Sequence, residues 1–363
     1  MPELYVGLMS GTSLDGIDGV LVDFAGPGLR VLASDHARFE PTLRAQLLAL
    51  QEPAAGELTN ACLAANLLSD AYARCVRRVL AAAGVNSGDV RAIGCHGQTV
   101  RHRPGDGYTV QLVNGARLAE HAAAPVVCDF RSRDVAAGGE GAPLVPAFHR
   151  AVFHDPMRDR VVVNIGGIAN VTFLPASGEV TGFDCGPGNA LLDGWIERHR
   201  GLQYDDGGRW AAGGSVIAPL LERLLAQPFF ARTPPKSTGR ELVNLAWLES
   251  VLSGGEAAQD VQATLLELTA VAIARAIIDH CATAREVFLC GGGARNSRLV
   301  ERIAARVSPR PVATTEALGL APEWVEASAF AWLARQAVLG QPGNLPAVTG
   351  ARGPRVLGAI YPA

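Results

Sequence analysis

Lysine is almost missing from this chain of 363 residues: of its 32 basic residues, all but Lys236 are arginine. The formal net charge is −3, with no basic run or tail, so the electrostatic footprint of a nucleic-acid binder is absent. Seven cysteines, at positions 62, 75, 95, 128, 185, 281 and 290, form no CxxC pair and no metal-ligand spacing. Scattered among apolar neighbours, they read as reduced core thiols, which excludes a disulfide framework. The eight histidines show no zinc pattern such as HExxH. The N-terminus lacks the basic segment and long apolar stretch of a signal peptide. The most apolar later run, Leu265 to Ile278, is interrupted by Glu267 and Arg275 and is too short to span a bilayer. The expectation is a soluble cytoplasmic protein with neither a nucleic-acid nor a membrane partner. Two common phosphate motifs are missing as well. No GxxxxGK[ST] occurs, because Lys236 follows two prolines, and no GxGxxG follows a strand.

What is present is a large apolar content, 48% against 18% charged, enough for the core of about two domains. Strand-like runs at Leu4–Leu8, Ile17–Phe24 and Leu29–Ala37 are separated by glycine-rich turns. Helical periodicity follows over Leu43–Leu50 and over Leu58–Ala83, the latter ending at a C-cap glycine, Gly84. Three short strands come next, Ala92–Cys95, Tyr108–Leu112 and Pro125–Cys128. The second half repeats the order. A meander (Val161–Ile165, Ala169–Leu174, Val180–Phe183) precedes helices near 190–199, 216–226 and 261–282. A strand, Val287–Cys290, then ends in Gly291-Gly292-Gly293, and helices follow from Asn296 and over Trp324–Leu339. The pattern predicts an α/β fold of two architecturally related halves. The stretch Gly138-Gly139-Glu140-Gly141 reads as a flexible join between them.

Two turns stand out, one per half. The first, Ser10-Gly11-Thr12-Ser13-Leu14-Asp15-Gly16-Ile17-Asp18, offers backbone and hydroxyl donors with two carboxylates. The second is Asn164-Ile165-Gly166-Gly167-Ile168-Ala169-Asn170. Glycine leaves backbone bare for close approach by phosphate, and a metal–phosphate complex needs donors plus a few carboxylates. Gly291-Gly292-Gly293 is either a tight strand–helix turn or a surface for a flat base. Asp184 closes the run Val180–Phe183 before Gly186 and Gly188, where α/β sheets place ligands, and a carboxylate there suits a general base. Asn189 is the better candidate for capping the next helix. The strings Cys95-His96-Gly97-Gln98-Thr99 and Asp129-Phe130-Arg131-Ser132-Arg133-Asp134 read equally as ordinary loops or as a surface that binds hydroxyls, amides and carboxylates. Glu326 reads as a solvated first-turn acid or as part of a site. The solitary Lys236 is either chance or a point charge kept for phosphate.

Taken together, these strings resemble the anhydro-N-acetylmuramic acid kinase family of the sugar-kinase, heat-shock-chaperone and actin superfamily. The segments carrying the resemblance are GLMSGTSLDGID (7–18), CHGQTVRH (95–102), DFRSRDVAAGGEGAPLVP (129–146), VNIGGIANVT (163–172), GFDCGPGNALLD (182–193), KSTGRE (236–241), CGGGARN (290–296) and TGARGPRVLGA (349–359). The resemblance implies two ribonuclease H-like domains, each a mixed sheet flanked by helices, with a cleft between them. Residues 1–130, joined by the tail 346–363, would form one domain and 131–345 the other. It implies an ATP-dependent kinase of peptidoglycan recycling that opens the anhydro ring with water and phosphorylates the 6-oxygen, yielding N-acetylmuramic acid 6-phosphate and ADP. Asp184 falls on the family's catalytic base, with Glu326 as a further acid. ATP would be held by Gly11, Thr12, Ser13, Leu14, Asp15, Gly16, Ile17, Asp18, Gly166, Gly167, Asn170, Lys236, Gly291, Gly292 and Gly293. His96, Gln98, Thr99, Arg131, Gly188 and Asn189 would line the sugar site, with Arg131 on the lactyl carboxylate. Mg²⁺ would lie against Asp15, Asp18 or Glu326. Here the chain departs from the superfamily, since Met9 or Ser10 and Asn164 stand where many members carry aspartate. A homodimer is implied. Two other readings stay open: a kinase of an ordinary hydroxyl-bearing sugar, which would incorporate no water, and an ATP-responsive binding module of the same fold.

Overall fold

The computed structural model describes all residues except 1, 12, 13, 27, 235 and 239–241. The chain divides into two compact units, one of residues 1–152 and 324–363, the other of residues 153–323.

The first unit is built on strands β1 (Leu4–Met9), β2 (Gly16–Asp23), β3 (Arg30–Arg38), β4 (Val90–Cys95), β5 (Gln98–Arg103), β6 (Tyr108–Leu112) and β7 (Val126–Cys128). β1, β2 and β3 form the expected antiparallel meander, and β4 and β7 continue the sheet in parallel with β1. The closing strand Ala359–Tyr361 pairs antiparallel with β7 at the sheet edge. β5 and β6 form a separate hairpin. All six residues of β1 are buried, as a central strand covered on both faces requires. One cover is the helix Glu57–Ala83, whose Leu68, Tyr72, Val76 and Val79 pack with Leu4, Val6, Leu8 and Leu21. It ends at Gly84 in the left-handed conformation, φ 65°, as a C-cap glycine should.

The other cover is the helix Val325–Val338. Gly7 of β1 and Gly94 of β4 are direct neighbours in the parallel register. A Cβ on Gly7 would collide with the Ala327 carbonyl oxygen, and one on Gly94 with that of Phe330. The paired glycines make a bare patch on which helix backbone rests. This contact corrects the expected domain boundaries. The helix belongs to the first unit, and the chain crosses at 152/153 and 323/324 rather than at 130/131 and 345/346. The Gly138–Gly141 stretch is likewise no flexible join. The Gly139 and Glu140 amides donate to the Asp134 and Thr349 carbonyls, and the Gly141 amide to the Asp134 carboxylate.

The second unit holds β8 (Arg160–Ile165), β9 (Ile168–Leu174), β10 (Thr181–Pro187), β11 (Glu286–Cys290) and β12 (Val312–Thr314), in the order β10-β9-β8-β11-β12. The order repeats that of the first sheet: a meander, then two parallel strands beside its first strand. The helix Ala258–His280 is longer and more apolar than the interrupted run suggests. It is long and apolar enough to cross a membrane by length and composition alone, but 89% of that window is buried inside the protein, as in a core helix. Its Glu267 is reached by Arg302 and Arg306. Burial pushes that carboxyl up, but the two arginine hydrogen bonds outweigh burial and hold it below its usual range. All seven cysteines are free thiols. Six are buried as expected, while Cys62 is exposed on the helix Glu57–Ala83.

Candidate active site

In the first unit, the polar strings sit at the carboxyl ends of the parallel strands β1, β4 and β7, where sheets of this class carry ligands. The His96 amide donates to the Leu8 carbonyl, which brings the string after β4 beside the turn after β1. Ser10 is bonded to the Tyr72 hydroxyl at 2.6 Å and donates to the Gly97 carbonyl. Gln98, 1% exposed, donates through Nε2 to the Gly11 carbonyl at 3.1 Å. Arg131 turns its fork on His96 Nε2, at 3.1 and 3.0 Å, and gives Nη1 to the Gly141 carbonyl at 2.7 Å. Burial first, then the Arg131 charge, pushes the His96 imidazole down to about 3. The ring is therefore neutral, and because Nε2 accepts, its proton lies on Nδ1. Gln98 Oε1 is buried without a hydrogen-bond partner, and His96 Nδ1 is buried without a well-formed one, though the Ser10 and Gly97 backbone lies against the imidazole. An orphaned acceptor and an ill-satisfied donor two residues apart are rare in a packed interior and suit a ligand that carries both functions. Thr99 Oγ1 accepts from Gln111.

The residues of the first turn take different places. Thr12 and Ser13 lie outside the described residues. The Leu14 amide donates to the Gly11 carbonyl, and Leu14 has φ 56°, a left-handed conformation uncommon for a branched side chain. The Leu14 and Ile17 side chains are core, 2% and 1% exposed, so any phosphate contact from them is backbone alone. Gly16 belongs to β2, where a Cβ would collide with the Ala37 carbonyl of β3. The glycine there serves strand approach. Asp18 faces His36 across the β2–β3 ladder, carboxylate to Nδ1 at 2.7 Å, and this bond raises the His36 imidazole pKa. Asp15 is exposed, and its carbonyl accepts from the Phe39 amide. Glu326 is half-buried in the first turn of its helix. Among the described residues, no group of three His, Cys, Asp or Glu side chains could hold a metal ion. Asp18 is bonded to His36, and Mg²⁺ is ordinarily held through one or two carboxylates, waters and the phosphates of the nucleotide, so a cluster of three is not required of Asp15, Asp18 and Glu326.

In the second unit, register does what spacing could not show. Asp184 of β10 lies opposite Asn170 of β9, which lies opposite Asn164 of β8. Residues directly opposite share a face, so the three polar side chains form a row across the sheet. Asp184 is not at the strand's end as expected. β10 runs on to Pro187 through an irregularity between Asp184 and Gly186, where Gly186 has φ 142°. Such a bulge re-aims side chains. The segment after the second proline docks there: the Asp184 amide donates to the Lys236 carbonyl at 3.1 Å, and the Thr238 amide donates to Asp184 Oδ2 at 2.9 Å. Lys236 Nζ lies 4.9 Å from the centre of the Phe229 ring, and burial lowers its pKa.

The glycine segments of this unit also converge. The Gly188 and Ala190 amides donate to the Gly167 carbonyl, and the Asn189 amide to that of Gly166. Asn189 does not cap its helix by side chain. Its Nδ2 donates to the Ile165 carbonyl instead. Gly291, at φ 79°, leaves no room for a Cβ beside Asn164, nor does Gly293 beside Ile165. Gly166–Gly167, Gly188–Asn189 and Gly291–Gly293 thus form one glycine-lined cradle. Gly188 and Asn189, expected to line the sugar site, share this cradle with the glycines expected to hold ATP.

The profile of the anhydro-N-acetylmuramic acid kinase family matches residues 3–363. The chain belongs to that family. Anhydro-N-acetylmuramic acid kinases of Nitrosospira multiformis and Nitrosomonas europaea are 56% and 55% identical to it over 361 residues, 99% of each chain. That of Thiobacillus denitrificans is 56% identical over 99% of this chain and 98% of its own. The fold is also similar to component A of (R)-2-hydroxyglutaryl-CoA dehydratase from Acidaminococcus fermentans. The TM-score is 0.50 at 13% identity, over 93% of this chain and 99% of that one. For this family member, sequence reasoning missed Asn164 as part of the polar row and assigned no role to Asp134. Asp134 is fully buried and accepts from the Gly141 amide, Asn344 and Thr349. Its partners lie up to 215 residues away, beyond the reach of any local pattern.

Proposed function

We propose that this protein is an ATP-dependent phosphotransferase acting on 1,6-anhydro-N-acetylmuramic acid in peptidoglycan recycling. The observation that carries the reading is the full-length family membership. Water adds at the anomeric carbon, the bond from that carbon to the 6-oxygen breaks, and the 6-oxygen takes the γ-phosphoryl group. The products are N-acetylmuramic acid 6-phosphate, ADP and a proton. Asp184 receives the proton from the attacking water, supported by its place on a bulge and by the Thr238 amide that orients its carboxylate. Backbone of the first turn, from Gly11 through Asp18, and the glycine cradle of the second unit serve ATP, which arrives as its Mg²⁺ complex. Lys236 and Asn170 lie beside Asp184 and supply charge and a polar contact there. His96, Gln98, Thr99 and Arg131 read the sugar, supported by the orphaned Gln98 Oε1 and the ill-satisfied His96 Nδ1. Work in the cytoplasm, where ATP is available, and as a homodimer completes the proposal.

The test is incubation with ATP, Mg²⁺ and the anhydro-sugar in ¹⁸O-water. The expected product gains one phosphate and one labelled oxygen at the anomeric carbon. Phosphate transfer without label would identify a kinase of ordinary hydroxyls, and no transfer would leave a binding module. Asp184→Asn is expected to bind ATP normally while turnover falls by about 10³-fold or more. Retained turnover would remove Asp184 as the base.

A further inference from the structure

We propose that the first unit carries a second anion site, outside the residues assigned to the reaction, that binds a phosphomonoester through Arg133, Arg352 and Arg355. Arg133, Arg352 and Arg355 line one cavity of about 220 Å³ together with Ala136 and Ala137. They come from two strings that the proposed reaction does not use fully, the short helix Ser132–Ala136 and the tail after Thr349. Among the described residues, none of the three forms an ion pair with a carboxylate. The tail arginines are held by backbone carbonyls and by the Asn344 side chain. Arg352 Nη2 donates to the Ala136 carbonyl at 3.2 Å and the Arg352 amide to that of Ala137 at 2.9 Å. Arg355 Nη1 donates to the Pro354 carbonyl, and its amide to Asn344 Oδ1. Each guanidinium has five N–H donors, so most remain for a ligand. Arg133 and Arg352 are exposed and Arg355 is half-buried, so solvent screens part of the repulsion among these three positive charges, and an anion relieves the rest.

Size and charge select the ligand class. The cavity is smaller than the roughly 300–1,000 Å³ of sites for drug-sized molecules, so its occupant is compact. A single carboxylate would leave most of the positive charge unmatched. A phosphate dianion presents three oxygens to three planar forks. The site is also tied to the sugar-reading residues. The tail is strapped to Asp134 through Thr349 and Asn344, Asp134 holds the Gly141 amide, and the Gly141 carbonyl holds Arg131.

The experiment is calorimetric titration of the whole protein at constant ionic strength, with and without saturating non-hydrolysable ATP analogue, using inorganic phosphate, glucose 6-phosphate or chloride. The expected result is saturable binding of phosphate and ester but not of chloride. Arg352→Gln and, from the opposite wall, Arg133→Gln each weaken it about tenfold, with unfolding temperatures unchanged. Binding no tighter than chloride, or equal in the variants, overturns the site. So does binding that vanishes when the analogue is present, because the phosphate then occupied the nucleotide's place. Binding of inorganic phosphate without the ester overturns the assignment to a phosphomonoester.

Discussion

Replacing Asp134 by alanine tests how the first unit is held together. The carboxylate is fully buried and serves three donors: the Gly141 amide at 2.8 Å, Asn344 Nδ2 at 2.6 Å and Thr349 Oγ1 at 2.8 Å. Alanine leaves all three in a dry interior without an acceptor, a loss of about 1–3 kcal/mol for each. Part of the sum is offset, since the variant no longer desolvates a carboxylate. The net expectation is a destabilisation of roughly 3–5 kcal/mol, in the tail of single-site effects. Asp134→Asn keeps the shape and one acceptor oxygen but turns an amide N–H₂ towards one of the donors, so it should lose only about 1–3 kcal/mol. Urea unfolding by circular dichroism measures both. The Gly141 carbonyl carries Arg131, so the alanine variant should also raise KM for the sugar more than it lowers kcat. A loss below about 1 kcal/mol for Asp134→Ala would refute the donor-satisfaction reasoning. An asparagine variant as damaging as the alanine one would show that charge matters rather than the number of acceptors.

Gly94→Ala should destabilise by about 1–3 kcal/mol or more, because its Cβ would meet the Phe330 carbonyl and force the helix Val325–Val338 off the sheet; an unchanged urea midpoint would contradict the bare-patch explanation. Burial holds both His96 and His149 down to about 3. The unfolded chain protonates near pH 6.5, so stability should be full above that pH and fall as pH drops from about 6.5 toward 3, by up to about 1.4 kcal/mol per unit for each ring. Urea midpoints at pH 7, 6 and 5 measure this, and a flat profile between pH 6 and 5 would rule it out. Thr238→Pro removes the amide that donates to Asp184 Oδ2. Turnover should fall roughly tenfold to hundredfold, with the acidic limb of the pH–rate profile moved to higher pH, since a hydrogen bond to a carboxylate favours its charged form. An unmoved limb would mean the Thr238 amide does not act through the carboxylate.

Much of the local structure was legible from residue order, because its causes are local. Apolar alternation and glycine turns marked both meanders, and Gly84 marked the end of the helix Glu57–Ala83. The glycine-rich turns, Asp184 and the strings around His96 and Arg131 were visible for the same reason. Register, docking and partnership were not. No pattern within a strand reveals that Gly7 will lie beside Gly94 and admit the helix Val325–Val338, and this contact decides which unit that helix joins. Spacing alone could not align Asp184, Asn170 and Asn164, because a strand's pairing is set by its neighbours. Nor could it show that Gly16 serves strand approach, that Asp18 is bound to His36, or that Arg133, Arg352 and Arg355 share a cavity. Sequence alone determined the elements and the chemistry available, since propensity and residue type act over a few positions. The tertiary structure decided which of those residues meet, since long-range packing is a property of the whole chain.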